Sequence, residues 1–176
     1  MEHKDITLVR SMFKWFGTAQ SDILCFQEYY NWDHPDLPDA YKTNDKLREM
    51  GYTYKAIFKE LNWYSGNSRK SERGFLGPVL FSRYPISEQG YVVFENAGGH
   101  NGFVWDDIKK GDDGSRVISI HLDSMGVRVG NVARAKNAKV AKAETKSILY
   151  KLKEGFIEHS SEIDQALEKV KNSPYP

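Results

Sequence analysis

The chain has 176 residues, a single cysteine and a formal net charge of +1, with 40% apolar and 28% charged residues. That length carries one domain with a sizeable core, and the composition is that of an ordinary globular protein. The charge balance excludes a bulk field that would draw the whole chain to nucleic acid or to an anionic membrane, although a local basic patch or a bound metal could still hold a phosphate. One cysteine excludes an internal disulfide framework.

No segment is long and apolar enough to span a bilayer, and no apolar h-region follows Met1. If Met1 is the natural start, the expected location is cytoplasmic.

In chain order, Ile6, Val9, Phe13 and Phe16 recur at near-helical spacing and Gly17 follows as a stop. This predicts a helix over 6–16, covering a sheet. The run Asp22-Ile-Leu-Cys-Phe-Gln-Glu28 then reads as a buried strand closing in an amide and a carboxylate, with Cys25 a buried, inert thiol. A carboxylate at a strand's carboxyl end sits at the rim of the sheet, where α/β folds collect their chemistry. Taken alone, Glu28 also reads as a merely solvated strand end.

Tyr29 to Pro38 reads as a loop, 39–50 as a second helix stopping at Gly51, Tyr52 to Phe58 as a strand, and 59–73 as a polar loop. Gly74 to Ser82 is a nearly continuous apolar run, broken after Ser82-Arg-Tyr by Pro85. Three further strands are expected at 91–94, 103–108 and 116–122, with a Gly-rich turn holding His100 and a clear turn at 110–114 between them. Alternation puts Val117, Ser119 and His121 on one face and Ile118, Ile120 and Leu122 on the other. His121 therefore closes its strand as Glu28 closes the first. Residues 126–143 read as a loop passing into a weak helix, and 144–171 as a convincing amphipathic helix that Gly155 either weakens or divides.

The order of three motifs is specific. Asp22-Ile-Leu-Cys-Phe-Gln-Glu28, Gly77-Pro-Val-Leu-Phe-Ser-Arg-Tyr-Pro-Ile86 and Val117-Ile-Ser-Ile-His-Leu122 resemble the endonuclease/exonuclease/phosphatase superfamily. The resemblance covers about 6–176 and implies an α/β fold, part of a four-layer α/β/β/α sandwich of the deoxyribonuclease I type, with the site at one edge of two packed sheets.

It implies a divalent-metal-dependent phosphoesterase, a nuclease or a phosphatase, acting on nucleic acid, a phospholipid headgroup or an inositol phosphate. Glu28 matches the glutamate that binds Mg²⁺, or Mn²⁺ in its place. His121 matches the histidine that contacts the scissile phosphate and takes part in proton transfer. The chemistry is sound from below: a hard cation prefers carboxylate oxygen, and imidazole is a good proton donor near neutral pH. Tyr30 stands where some members carry an arginine and is given no role, and Asp123 reads as a loop residue.

The departures matter as much. Members begin with a strand carrying an asparagine ligand and continue past the long helix to Gly-Asp-Phe-Asn and Ser-Asp-His motifs, and this sequence has none of them. The expectation is a single, incomplete domain over 1–176 that binds Mg²⁺ weakly, hydrolyses nothing at a useful rate and self-associates through uncovered edges. A different class of reading, a non-catalytic remnant with a binding role or none, is the alternative.

Overall fold

In the computed structural model the described residues are 6–32, 39–62, 74–94 and 101–175. The polar loop beyond Asn62, the Gly-rich turn and His100 lie outside them. The elements are α1 (Ile6–Ala19), β1 (Ile23–Trp32), a 3-10 turn at Asp39–Tyr41, α2 (Thr43–Glu49), β2 (Tyr54–Ala56), a 3-10 turn at Lys59–Leu61, β3 (Gly74–Ser82), β4 (Ile86–Val93), β5 (Gly102–Lys110), β6 (Asp113–His121), α3 (Gly130–Ala133) and α4 (Ala138–Lys171). They fall into two compact units, residues 1–121 with 173–176, and residues 122–172.

The first unit is mixed α/β, with two three-stranded antiparallel sheets in the orders β1-β3-β2 and β4-β5-β6. The sheets pack face to face, β3 against β5 and β6, and β1 beside β6. Period-2 alternation sorts the side chains. Leu24, Val79 and Phe81 face outward and join Phe16 of α1 and Leu47 of α2 in one core, with Phe26 meeting Phe16 edge to face at 5.7 Å between ring centres. Ile23, Leu80, Val104, Ile108 and Val117 face inward and form the second core, between the sheets. The helix expected over 6–16 thus covers the sheet as anticipated.

The run expected as strand 22–28 is longer than its apolar residues indicate. β1 continues through Tyr29 to Trp32, and the register against β3 slips by one residue between Phe26 and Tyr29. Gln27 and Glu28 occupy that bulge, so Glu28 interrupts the strand rather than ending it. The partner residue opposite the bulge is Pro78, which has no N–H to donate. A proline inside a sheet's middle strand is tolerated where the ladder is already broken, and the bulge supplies that break. Beside it, a Cβ on Gly77 would run into the Leu61 carbonyl oxygen, so this glycine serves a close backbone approach.

Two further expectations are corrected. The strand read over 52–58 is only Tyr54–Ala56; Tyr52, just ahead of it, is buried and donates its hydroxyl to the Ser21 carbonyl at 2.7 Å. The strand read over 91–94 begins at Ile86, directly after Pro85, with a bulge between Ile86 and Glu88 that admits its polar start. The turn between β5 and β6 is two residues, with Gly111 at φ +65°, a left-handed conformation that favours glycine.

In the second unit Asn137 caps α4, accepting from the Val140 N–H at 3.0 Å. The helix runs unbroken for 34 residues, and Gly155 does not divide it. That glycine is buried where Met125 crosses the helix, so its missing side chain makes room for a packed neighbour. Around it the 123–126 segment is tied down. Asp123 donates its N–H to Glu162 at 3.2 Å, its carbonyl meets His159 Nε2 at 2.7 Å, and Lys151 donates to the Gly126 carbonyl at 3.1 Å. No helix among the described residues is long and apolar enough to cross a membrane.

Candidate active site at the edge of the two sheets

Glu28 stands on the β1 bulge and His121 on the last position of β6, one from each sheet, and the structure brings them together. His121 Nε2 lies 3.9 Å from Glu28 Oε1, the carboxylate well exposed and the imidazole mostly covered. The bulge is the device that does this: an extra residue re-aims the side chains that follow it, here at the sheet rim. At this length, with one partner open to solvent, the contact adds at most about 1 kcal/mol to stability, and only when the imidazole is protonated. Its value is positional. Tyr30, two residues on, is exposed.

Mg²⁺ holds near-octahedral oxygen coordination and binds through carboxylates aided by substrate phosphate. Among the described residues no group of three His, Cys, Asp or Glu side chains is arranged to hold a metal ion. Glu28 supplies one carboxylate, so the described residues do not make a metal centre by themselves. At this rim the described residues place one imidazole beside one carboxylate.

Cys25 corrects an expectation: it is exposed, not buried. It lies on the face of β1 that looks toward β6, so its exposure shows that the space between the sheets opens to solvent on this side. Its thiol is nonetheless a poor nucleophile. Desolvation pushes its pKa up, the charge of Asp106 adds to the rise, and a hydrogen bond with Ser119 opposes it.

Asp106 itself was not singled out by the sequence. Adjacent aspartates usually mark a solvated loop, but these lie inside β5 on opposite faces. Asp107 looks outward and is held by Arg116, whose Nε and Nη2 donate to its two oxygens at 2.7 and 2.8 Å. Asp106 looks inward, is fully buried, and neither of its oxygens has a hydrogen-bond partner among the described residues. Its pKa is pushed up to about 7, by desolvation first and by the charge of Asp107 second.

The sign of the pH effect follows. The folded state binds this proton more tightly than the unfolded chain, so Asp106 costs nothing below the unfolded pKa near 4. The cost grows as pH rises and is complete above about 7, where it reaches roughly 4 kcal/mol. The first unit should therefore be less stable in urea at pH 8 than at pH 5. Asp106→Asn should flatten that dependence, and an unchanged slope in the variant would assign it to another group.

No family model matches the sequence, and no curated protein matches it. Solved structures do. A humanised TDP2 from D. rerio superposes with a TM-score of 0.54 at 13% identity, over 98% of this chain and 56% of that one. Sphingomyelinase C from Streptomyces griseocarneus gives 0.55 at 17% identity, over 94% and 52%. An endonuclease/exonuclease/phosphatase from Beutenbergia cavernae gives 0.51 at 14%, over 81% and 37%. The chain spans about half the length of these proteins or less, and at such identities the likeness concerns the fold. The paired antiparallel sheets with their covering helices are those of the deoxyribonuclease I-like fold, the one that the three sequence motifs imply.

Proposed function

We propose that this chain contributes Glu28 and His121 to the centre of a phosphoester hydrolase. The observation that supports the reading is their convergence: residues 93 positions apart, on different sheets, meet at 3.9 Å at one rim. Glu28 is proposed as one ligand of a divalent cation, Mg²⁺ or Mn²⁺, whose other ligands lie outside the described residues. His121 is proposed to hold a proton on Nε2, facing the phosphate, and to deliver it toward the departing oxygen. An imidazole suits that work because its unperturbed pKa lies near neutrality. The substrate is a phosphodiester or phosphomonoester, of nucleic acid, a phospholipid headgroup or an inositol phosphate. The choice among them resides in loops that vary freely on such folds.

With one acidic ligand, the purified 176-residue chain is expected to show no metal-dependent turnover of bis(p-nitrophenyl) phosphate in Mg²⁺ or Mn²⁺, and to self-associate on light scattering because apolar side chains and sheet edges are uncovered. A monodisperse monomer with turnover abolished by Glu28→Gln would show instead that the centre is complete.

A further inference from the structure

Charge is unevenly spread along the second unit. Residues 128–153 hold eight lysines and arginines and a single acid, Glu144, whereas 154–168 hold five acids and no lysine or arginine. The whole chain is only +1, so this strongly basic stretch stands against an acidic remainder.

Within α4, Lys139, Lys142, Lys146 and Lys153 follow at intervals of 3, 4 and 7 residues, and so share one stripe of the helix. At 1.5 Å per residue the stripe is about 21 Å long. All four lysines are exposed. Gly155, where Met125 packs, comes nine residues after Lys146, two and a half turns on, so the stripe points away from that packed side.

Helix electrostatics does not account for such a row. None of the four lysines has an acid three or four residues away, and Lys142 stands at those spacings from both Lys139 and Lys146, which is destabilising. Lys139 lies in the first turn, beside the positive end of the helix dipole, and that turn carries no acid. Among the described residues none of the four joins an ion pair, whereas Lys42, Lys46, Lys110 and Lys171 each do.

We infer that this stripe, with the basic residues just ahead of it, is a binding surface for the phosphate backbone of nucleic acid, without regard to base sequence. A long row of unneutralised cations matches a polyanion of regular charge spacing, which releases its condensed counterions on binding. An anionic membrane matches less well. A helix that lies in a membrane surface carries its basic and apolar residues over the same length. Here the exposed Phe156, Ile157, Ile163 and Leu167 fall in the acidic stretch, which anionic headgroups repel. This inference goes beyond the phosphoesterase reading and does not rest on it, because neither Glu28 nor His121 takes part.

The test is fluorescence anisotropy of a labelled DNA duplex of about 20 base pairs, titrated with the 176-residue chain in EDTA. With four phosphates neutralised, the logarithm of the binding constant should fall against the logarithm of salt concentration with a slope near −4. Affinity then drops on the order of 100-fold between roughly 50 and 200 mM salt. Replacing Lys139, Lys142, Lys146 and Lys153 together with glutamine should flatten the slope by about 3 to 4, with no loss in Tm.

A control that replaces Lys14, Lys55, Lys59 and Lys109, exposed lysines of the first unit, removes the same charge and should leave the slope nearly unchanged. Glu28→Gln combined with His121→Ala should bind as the parent does, so failure of the catalytic reading would leave this result standing. Absence of binding at low salt, or equal losses in the two lysine sets, would overturn the inference. Tighter binding to phosphatidylserine-containing vesicles or to polyglutamate than to the duplex would overturn it as well.

Discussion

Arg116→Ala should cost the first unit about 3–5 kcal/mol, the loss expected when one partner of a buried ion pair is removed and its counter-charge stays behind. Arg116 and Asp107 face each other directly across β6 and β5, with side chains only 6% and 2% exposed. The guanidinium also lies 4.5 Å above the Trp105 ring, so truncation removes a stacking partner along with the charge. Most of the cost, however, is the stranded carboxylate. The double variant Arg116→Met with Asp107→Leu should therefore recover most of the lost stability. Urea denaturation of the single and double variants decides the matter. A double variant as unstable as Arg116→Ala alone would mean that the ring stacking, not the charge, dominates.

This pair shows how far the sequence could be read. The two-residue turn at Gly111 and Asp112 sets the register of the β5–β6 hairpin, and that register places Asp107 opposite Arg116 and Gly102 opposite His121. The turn was legible, and so in principle was the pair. The bulge at Gln27 and Glu28 was not read, although Pro78 inside an otherwise central strand was a sign that some ladder had to be interrupted.

Other features depend on tertiary context that periodicity does not carry. Cys25 belongs to an apolar run and its side chain does face the other sheet, yet the space between the sheets is open at that point. Asp106 falls inside the strand expected over 103–108, but its complete burial follows only once that strand is placed between two others. Glu28 and His121 were found because each closes or interrupts an apolar run with a chemically capable side chain. Their convergence, 3.9 Å apart, could only come from the way the sheets stack. The long helix was legible from its period, whereas the packing of Met125 against Gly155 was not.

In a catalytically competent protein containing this chain, His121→Ala should lower kcat by about 10²–10⁴-fold, the usual contribution of a positioned general acid. KM should change little, since the group acts on the departing oxygen rather than on ground-state binding. The loss should also depend on the leaving group. An ester whose alcohol departs readily without a proton, such as a p-nitrophenyl ester, should lose less than one with an alkyl alcohol. Glu28→Gln should instead raise the metal concentration needed for half-maximal rate. Steady-state kinetics with the two esters across a metal titration separates the roles. Equal losses on both esters would remove the proton-donor role from His121, and an unchanged metal requirement in Glu28→Gln would remove the ligand role from Glu28.

The assignment of Glu28 and His121 to one metal-phosphate centre can be tested on the chain itself, without turnover. Titrating the isotopically labelled protein with Mn²⁺ in the presence of inorganic phosphate, and following paramagnetic broadening by NMR, locates the ion even where it binds weakly. The signals of Glu28 and the His121 ring should broaden first and together, and Glu28→Gln should abolish the effect at both. Broadening centred elsewhere on the chain, with Glu28 and His121 unaffected, would contradict it.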